Sequence, residues 1–153
     1  MKNFKNKVAA ITGAGSGIGQ QLAILLAKQG CHLSLSDINE KGLAQTVELV
    51  KQYPVTVTTK VLDVSNREAV KQWAQDTVQD HGSVNLIFNN AGVALGSTVE
   101  GASYEDLEWI VGINFWGVVY GTKEFLPFIK QTKDGHIINI SSIFGLTSQP
   151  TQS

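Results

Sequence analysis

Short apolar runs alternate with longer amphipathic stretches along most of this chain. The apolar runs predict five strands, at residues 8–11, 33–37, 55–62, 84–88 and 136–141. Between them, apolar residues recur at helical spacing, which predicts four helices, at 17–29, around 43–50, from 65 to 81 and from 103 to about 131. The predicted order is therefore β-α-β-α-β-α-β-α-β.

Two of the predicted helices begin with a capping-box pattern. Ser65 is followed three positions later by Glu68, and Ser103 by Asp106. In such a box the serine oxygen accepts a bond from the third helical amide, and the acidic side chain reaches back. We expect Ser65 and Ser103 to be the N-caps.

Apolar strands separated by helices favour a parallel sheet covered on both faces. The fold class predicted is therefore α/β, a Rossmann-type doubly wound parallel sheet that is incomplete, with five strands present. Ligands of such sheets bind at the carboxyl ends of the strands. The residues at those ends are 12–19, Asp37, Asp63, 89–92 and 141–142.

Composition narrows the class of protein further. The chain has 153 residues, 42% of them hydrophobic, and a net charge of −1, which fits one globular domain over residues 1–153 and no nucleic-acid partner. No apolar stretch approaches 18 residues, so we expect no membrane partner.

The single cysteine, Cys31, excludes an internal disulfide or a cysteine zinc cluster, and we expect no metal. Residues 1–7 are polar, so we expect a cytoplasmic protein.

A glycine-rich segment joins the first strand to the first helix. Gly13, Gly15, Gly17 and Gly19 lie within seven positions there. Glycine allows the backbone to approach a pyrophosphate, and the helix N-terminus that follows favours an anion. The spacing differs from G-x-G-x-x-G, and no Gly-Lys-Ser/Thr follows, which excludes a triphosphate P-loop. The alternative is a glycine-rich turn that binds nothing.

Asp37 ends the second predicted strand. A carboxylate at this point can accept hydrogen bonds from both ribose hydroxyls of an adenosine and would repel a 2′-phosphate. Position 16 is serine and position 38 is isoleucine, so neither carries a basic side chain that would attract that phosphate. NAD is therefore favoured over NADP as the cofactor, the alternative being that Asp37 only caps the next helix.

Five motifs together resemble the short-chain dehydrogenase/reductase family, over residues 7–153. They are Thr12-Gly-Ala-Gly-Ser-Gly-Ile-Gly19, Asp63, Asn89-Asn90-Ala91-Gly92, Asn114 and Ile140-Ser141-Ser142. The resemblance implies that the loop holds the cofactor pyrophosphate through Gly13, Gly15, Ser16, Gly17, Ile18 and Gly19. It implies that Asp63 and Val64 contact the adenine, and that Asn90, Ala91 and Gly92 line the ribose. Asp63 could instead cap a helix beside Ser65, and residues 89–92 could be purely architectural.

The same resemblance implies catalytic roles for two residues. The backbone of Asn114 would hold a water in a proton relay, and the Ser142 hydroxyl would bind the substrate oxygen, with Ser141 as its neighbour. A solvated helix position for Asn114 and a simple turn at Ser142 are the alternatives. Trp109, Phe115 and Trp116 are interpreted as packing or subunit-interface residues. A homodimer or homotetramer is expected of the full-length form.

The family's Tyr-x-x-x-Lys pair is absent from the sequence. Tyr53, Tyr104 and Tyr120 are followed at the fourth position by valine, glutamate and glutamate. The pair is expected just past Ser153, so we expect these residues to be the N-terminal portion of a longer protein. The three histidines, at 32, 81 and 136, are expected to be isolated surface residues. They fall near the amino ends of strands or in a loop, away from the carboxyl edge where a ligand would bind.

The resemblance therefore predicts an NAD-dependent oxidoreductase acting on a small alcohol or carbonyl substrate. The alternative is a catalytically incomplete dinucleotide-binding fragment or regulator. A methyltransferase also has glycine-rich strand-helix loops, but the motifs at 89–92 and 141–142 argue against it.

Overall fold

The computed structural model describes residues 3–147 as one parallel sheet with helices on both faces. The strands are β1 (Val8–Thr12), β2 (His32–Asp37), β3 (Val57–Val61), β4 (Leu86–Asn89) and β5 (His136–Asn139). Their order across the sheet is β3-β2-β1-β4-β5, and every neighbouring pair is parallel. The predicted Rossmann-type fold is confirmed.

The first three helices begin and end close to the predicted positions, and the predicted fourth is divided. The helices are α1 (Gly17–Lys28), α2 (Glu40–Val50), α3 (Arg67–His81), α4 (Tyr104–Val111) and α5 (Gly117–Ile129). A π-helical segment, Gly112–Trp116, joins α4 to α5, and a short 3₁₀ turn, Ile143–Gly145, follows β5.

The central strand β1 separates two hydrophobic cores. Ala9 and Ile11 face one core, which β1 shares with α1 and α2, whereas Val8 and Ala10 face the other, which contains α3 and α5. All five residues of β1 are buried, because helices cover the sheet on both faces. β1 is therefore the buried centre of the sheet, with β2 paired on one side and β4 on the other.

One of the two predicted capping boxes is wrong. The N-cap of α3 is Asn66, whose side chain accepts a bond from the Ala69 amide at 3.1 Å. Ser65 is unsuited to the role because its hydroxyl donates to the Asp63 carboxylate at 2.8 Å. The capping box of Ser103 with Asp106 is confirmed.

The predicted long helix is three segments rather than one. Its middle, Gly112–Trp116, winds as a π-helix and contains Asn114. The Asn114 amide pairs with the backbone of Val93, which lies on a different segment of the chain. Wider local winding lets this side chain reach out of the helix, a common use of single π turns.

The strands that follow β1 along the chain lie on both sides of it in the sheet. The chain runs outward from β1 through β2 to β3, then crosses back to β4 and β5 on the other side. The loops after β1 and β4 therefore diverge, and a crevice opens between them at the carboxyl edge of the sheet.

Candidate functional site

The glycine-rich loop after β1 forms the floor of this crevice. Gly13 and Gly17 have φ angles of +66° and +51°, a backbone conformation that glycine adopts without strain. Within the described residues, no side chain caps α1 at Ser16, and the first turn carries no acidic residue. The other helices that start from a loop are each capped by a side chain, from Asn39, Asn66 and Ser103. Among the helices of residues 3–147 that start from a loop, α1 is thus the one whose N-terminal amides no side chain caps, an arrangement that favours an anion.

Asp37 stands beside this loop at the end of β2. Its Oδ2 accepts a bond from the Gly15 amide at 2.8 Å, and its Oδ1 accepts one from the Asn39 amide at 2.9 Å. A side chain at position 15 would meet the carboxylate, because a Cβ there would lie 2.9 Å from Oδ2. Both carboxylate oxygens are therefore oriented by main-chain donors.

The segment after β4 is fastened to the end of β1 by Thr12. The Thr12 hydroxyl accepts bonds from the Asn90 and Ala91 amides, both at 2.9 Å, and donates to the Phe88 carbonyl at 3.3 Å. The Asn90 side chain donates in turn to the Thr12 carbonyl at 2.9 Å. This network gives residues 90–92 an architectural role whether or not a ligand is bound.

Asp63 and Val64 follow β3 at the same edge of the sheet. The Asp63 carboxylate accepts bonds from both the amide and the hydroxyl of Ser65, each at 2.8 Å. Asp63 is exposed and Val64 is buried. The carboxylate therefore organises the turn before α3 while the residue pair borders the crevice.

These elements surround a pocket of about 520 Å³. Ten of the twelve residues predicted to bind a cofactor line it: Gly13, Ser16, Gly17, Ile18, Asp37, Asp63, Val64, Asn90, Ala91 and Gly92. The remaining two, Gly15 and Gly19, are not part of this lining. Gly15 faces Asp37, and Gly19 packs so closely on the Gly13 carbonyl that a Cβ would lie 2.1 Å from its oxygen.

Five further residues line the pocket and were not predicted to do so: Ile38, Leu62, Val93, Trp109 and Ile113. Trp109 was interpreted as a packing or interface residue, and the structure instead places it in the pocket wall. Trp109 and Ile113 are four positions apart, so they share one face of a helix. That spacing was the available signal, although the sequence does not say which face meets the loops.

The pocket is acidic in its described lining. Asp37 and Asp63 are its charged residues, and no lysine or arginine lines it within residues 3–147. A bound anion would therefore be met by backbone amides rather than by basic side chains.

Neither predicted catalytic residue lines the pocket described here. Asn114 lies next to it, since its side chain accepts from the Val93 amide and donates to the Val93 carbonyl, both at 2.9 Å. The Ser142 hydroxyl oxygen accepts a bond from the Phe144 amide at 3.2 Å and caps the 3₁₀ turn. Both side chains are exposed.

The histidines differ from the expectation that each is isolated. The rings of His32 and His81 lie with their centroids 6.5 Å apart, at the edge of the sheet opposite the pocket. His32 accepts a bond from the Thr56 amide, and His81 shares one with the Thr58 hydroxyl. Burial lowers the pKa of His81, and the nearby His32 lowers it further. Contacts across the fold, invisible in local sequence, bring the two together.

Two other kinds of site have no support in the described structure. Among residues 3–147, no three histidine, cysteine, aspartate or glutamate side chains are grouped to hold a metal ion. None of the described helices is both long and apolar enough to cross a membrane.

Comparison with known proteins agrees with this geometry. The chain is 48% identical to SadH of Mycobacterium tuberculosis over all 153 residues, which span 55% of that protein. A short-chain dehydrogenase/reductase from Burkholderia phymatum, solved in complex with NAD, superposes with a TM-score of 0.95 at 39% identity, over 99% of this chain and 54% of that one. NAD⁺-bound xylitol dehydrogenase superposes with a TM-score of 0.93 at 30% identity, over 99% and 58%.

The chain thus spans about half the length of the relatives it matches. The family model described as short chain dehydrogenase matches residues 7–153, nearly the whole sequence. This chain belongs to the short-chain dehydrogenase family.

Proposed function

We propose that this chain is the dinucleotide-binding part of an NAD-dependent oxidoreductase that converts a small alcohol to a carbonyl compound or the reverse. The observation that carries the proposal is the Asp37 carboxylate, held by two backbone amides at the edge of a pocket that begins at an uncapped helix N-terminus. Both neighbours reported above with NAD bound share this fold over 99% of the chain.

The residues present fit a dinucleotide. The amides at the start of α1 suit the pyrophosphate, because no side chain in the described structure occupies them and the helix dipole favours negative charge. Asp37 suits the adenosine ribose, whose two hydroxyls are donors. Leu62, Val64 and Ile113 give the pocket apolar lining that suits the adenine ring.

Charge supports NAD rather than NADP. A 2′-phosphate on the adenosine ribose would lie against the Asp37 carboxylate, and no basic residue lines the described pocket to offset the repulsion. Arginine or lysine is the usual partner for that phosphate.

The chemistry that NAD supplies when bound is the acceptance or donation of a hydride. Asn114, beside the pocket, and Ser142, after β5, are proposed to serve the proton relay and the substrate oxygen. The sequence holds no Tyr-x-x-x-Lys pair. We therefore expect these 153 residues to bind the dinucleotide without turning over a substrate.

A second candidate function is a binding module or regulator that performs no hydride transfer. The observation favouring it is Ser142, which is not among the residues that line the described pocket and whose hydroxyl oxygen accepts a bond from the Phe144 amide.

Two wider expectations belong to the same proposal. Self-association of the full-length form is supported by the exposed aromatic rings of Phe115 and Trp116, which contact each other, and Trp116 also stacks on the half-buried Tyr120. The cytoplasmic location expected from the sequence is retained as a proposal.

The test is a comparison of NADH and NADPH binding by calorimetry. We expect wild-type protein to bind NADH more tightly than NADPH. Asp37→Ala should weaken NADH binding about tenfold, the effect of losing hydrogen bonds to a charged group, and should reduce the preference over NADPH. Asp63→Ala is the matched control, because this second acidic pocket residue bonds Ser65 and should leave the preference unchanged.

Failure to bind either dinucleotide would refute the binding proposal. An unchanged NADH affinity in Asp37→Ala would refute the role of Asp37. If the full-length form binds NADH but transfers no hydride to any of a panel of alcohols and carbonyls, the regulator is favoured instead.

A further inference from the structure

Thr46 lies on α2, behind the glycine-rich loop and away from the pocket lining. Its side chain is fully buried, with 0% exposure. The hydroxyl donates to the Ala14 carbonyl at 2.8 Å and accepts a bond from the Gln20 side chain at 3.0 Å. It also lies 3.0 Å from the Gly42 carbonyl, the usual back-bond of a threonine inside a helix. The shorter contact reaches out of its own helix to the loop.

The Ala14 carbonyl belongs to the same peptide unit as the Gly15 amide. That unit is planar, and in the trans form its carbonyl and its N–H point in opposite directions. The Gly15 amide donates to Asp37 Oδ2 at 2.8 Å. Thr46 and Asp37 therefore hold the two polar ends of a single peptide, one from behind the loop and one from the pocket side.

The peptide units on either side of Ala14–Gly15 are also held in place. A Cβ at Gly42 would lie 2.5 Å from the Gly15 carbonyl oxygen, so α2 packs directly on the backbone of the loop. The Ala14 amide is also bonded, donating to the Ser36 carbonyl at 3.0 Å. The Thr46 hydroxyl, bonded to the Ala14 carbonyl, therefore opposes rotation of the peptide between these two neighbours.

We propose that Thr46 is a positioning residue for cofactor selection. By fixing the Ala14–Gly15 peptide, it keeps the Gly15 amide on the Asp37 carboxylate and so orients that carboxylate toward a ribose diol. The inference rests on the proposed function, in which Asp37 receives the adenosine ribose.

Loss of the Thr46 hydroxyl would leave the Ala14 carbonyl buried without this donor, which favours rotation of the peptide. Rotation would turn the carbonyl oxygen toward the Asp37 oxygens, where partial negative charges repel. Asp37 would then lose the Gly15 amide that holds Oδ2, although it would keep its charge and the Asn39 amide on Oδ1.

The test is a double-mutant cycle between positions 46 and 37, measured as the dissociation constants of NADH and NADPH. Thr46→Val keeps the shape and removes the hydroxyl, so we expect NADH binding to weaken about tenfold and NADPH binding less than twofold. Thr46→Ser restores the hydroxyl and should bind NADH as wild type does. In the Asp37→Ala background, Thr46→Val should change NADH binding less than twofold, because its route to the ribose is gone.

Equal weakening of both dinucleotides by Thr46→Val, or the same weakening in the Asp37→Ala background, would overturn the proposal in favour of a general structural role. If Thr46→Val does not fold, Gln20→Met takes its place. It removes the donor that orients the Thr46 hydroxyl, and it should weaken NADH binding two- to threefold without affecting NADPH.

A measurement without ligand separates this inference from the proposed function. Exchange of the Gly15 amide proton, followed by NMR, should be at least tenfold faster in Thr46→Val than in Thr46→Ser. Unchanged exchange overturns the link between Thr46 and the peptide even where NADH binds. Faster exchange in a protein that binds no dinucleotide refutes only the proposed function.

Discussion

Gly121 is the point at which α5 comes closest to the sheet, and its replacement by alanine is a stringent test of the packing. A Cβ at this position would lie 2.0 Å from Asn89 Oδ1, whereas ordinary contacts begin near 3.4 Å. Asn89 is 2% exposed, and its amide donates to Asn139 at 2.8 Å and to Thr122 at 3.2 Å. The amide therefore cannot retreat without breaking bonds that join β4 to β5 and to α5.

The cost follows from these contacts. Forcing a methyl group into a packed interior costs about 1–3 kcal/mol, and each hydrogen bond lost adds about 1 kcal/mol. We expect Gly121→Ala to lower the free energy of unfolding by about 3 kcal/mol, which for a chain of this size lowers Tm by roughly 9 °C.

The assay is urea and thermal unfolding, with Gly112→Ala as the matched control. Gly112 lies on the same helical stretch, but a Cβ there would be 3.4 Å from the nearest atom, on Ser65. That variant should be neutral or stabilising by up to about 1 kcal/mol, because alanine favours the helix.

A second substitution distinguishes the mechanism. Asn89→Ala removes the oxygen that the new methyl group would meet, so Gly121→Ala should cost less than about 1 kcal/mol in that background. Equal costs in the two backgrounds, or equal effects of alanine at 112 and 121, would refute the reasoning.

Two further predictions concern titratable groups. Burial raises the pKa of the Cys31 thiol to about 12, so a thiol reagent at pH 8 should modify it only on unfolding; rapid modification of the native protein would contradict this. Burial also lowers the pKa of His81; Asp80 opposes this shift and His32 adds to it. Below the ordinary histidine pKa, the unfolded chain therefore binds a proton at His81 more readily than the native state does. Stability should be fully present above about pH 6.5 and fall as the pH drops below it, and His81→Gln should flatten that slope in urea melts at pH 5 to 8. An identical slope in the variant would show that His81 is not the group responsible.

Local pattern was sufficient to predict the five strands and the first three helices, but not their ends or the division of the fourth helix. The apolar run of β1 and the glycines after it are strong signals, and the strand order β3-β2-β1-β4-β5 agrees with the predicted doubly wound sheet. By contrast, β3 begins at Val57 rather than at Val55, near Pro54, and lies at the edge of the sheet. Propensity alone cannot place the first ladder bond of such a strand.

Features that depend on distant contacts were not predictable from the sequence. Asn66 rather than Ser65 is the N-cap because the Ser65 hydroxyl donates to the Asp63 carboxylate. The π segment exists around an amide that pairs with Val93 across the fold. For the site, the glycines and acidic residues at strand ends could be recognised by their chemistry, whereas the sequence does not show that Trp109 lies in the pocket wall.

The hydroxyl of Thr12 has a consequence for the thermodynamics of binding. A threonine hydroxyl can donate once and accept twice, and Thr12 uses all three capacities, on Phe88, Asn90 and Ala91. This side of the crevice is therefore assembled before any ligand arrives. Association here does not require Asn90 and Ala91 to lose further conformational entropy, so more of the contact energy is retained as affinity.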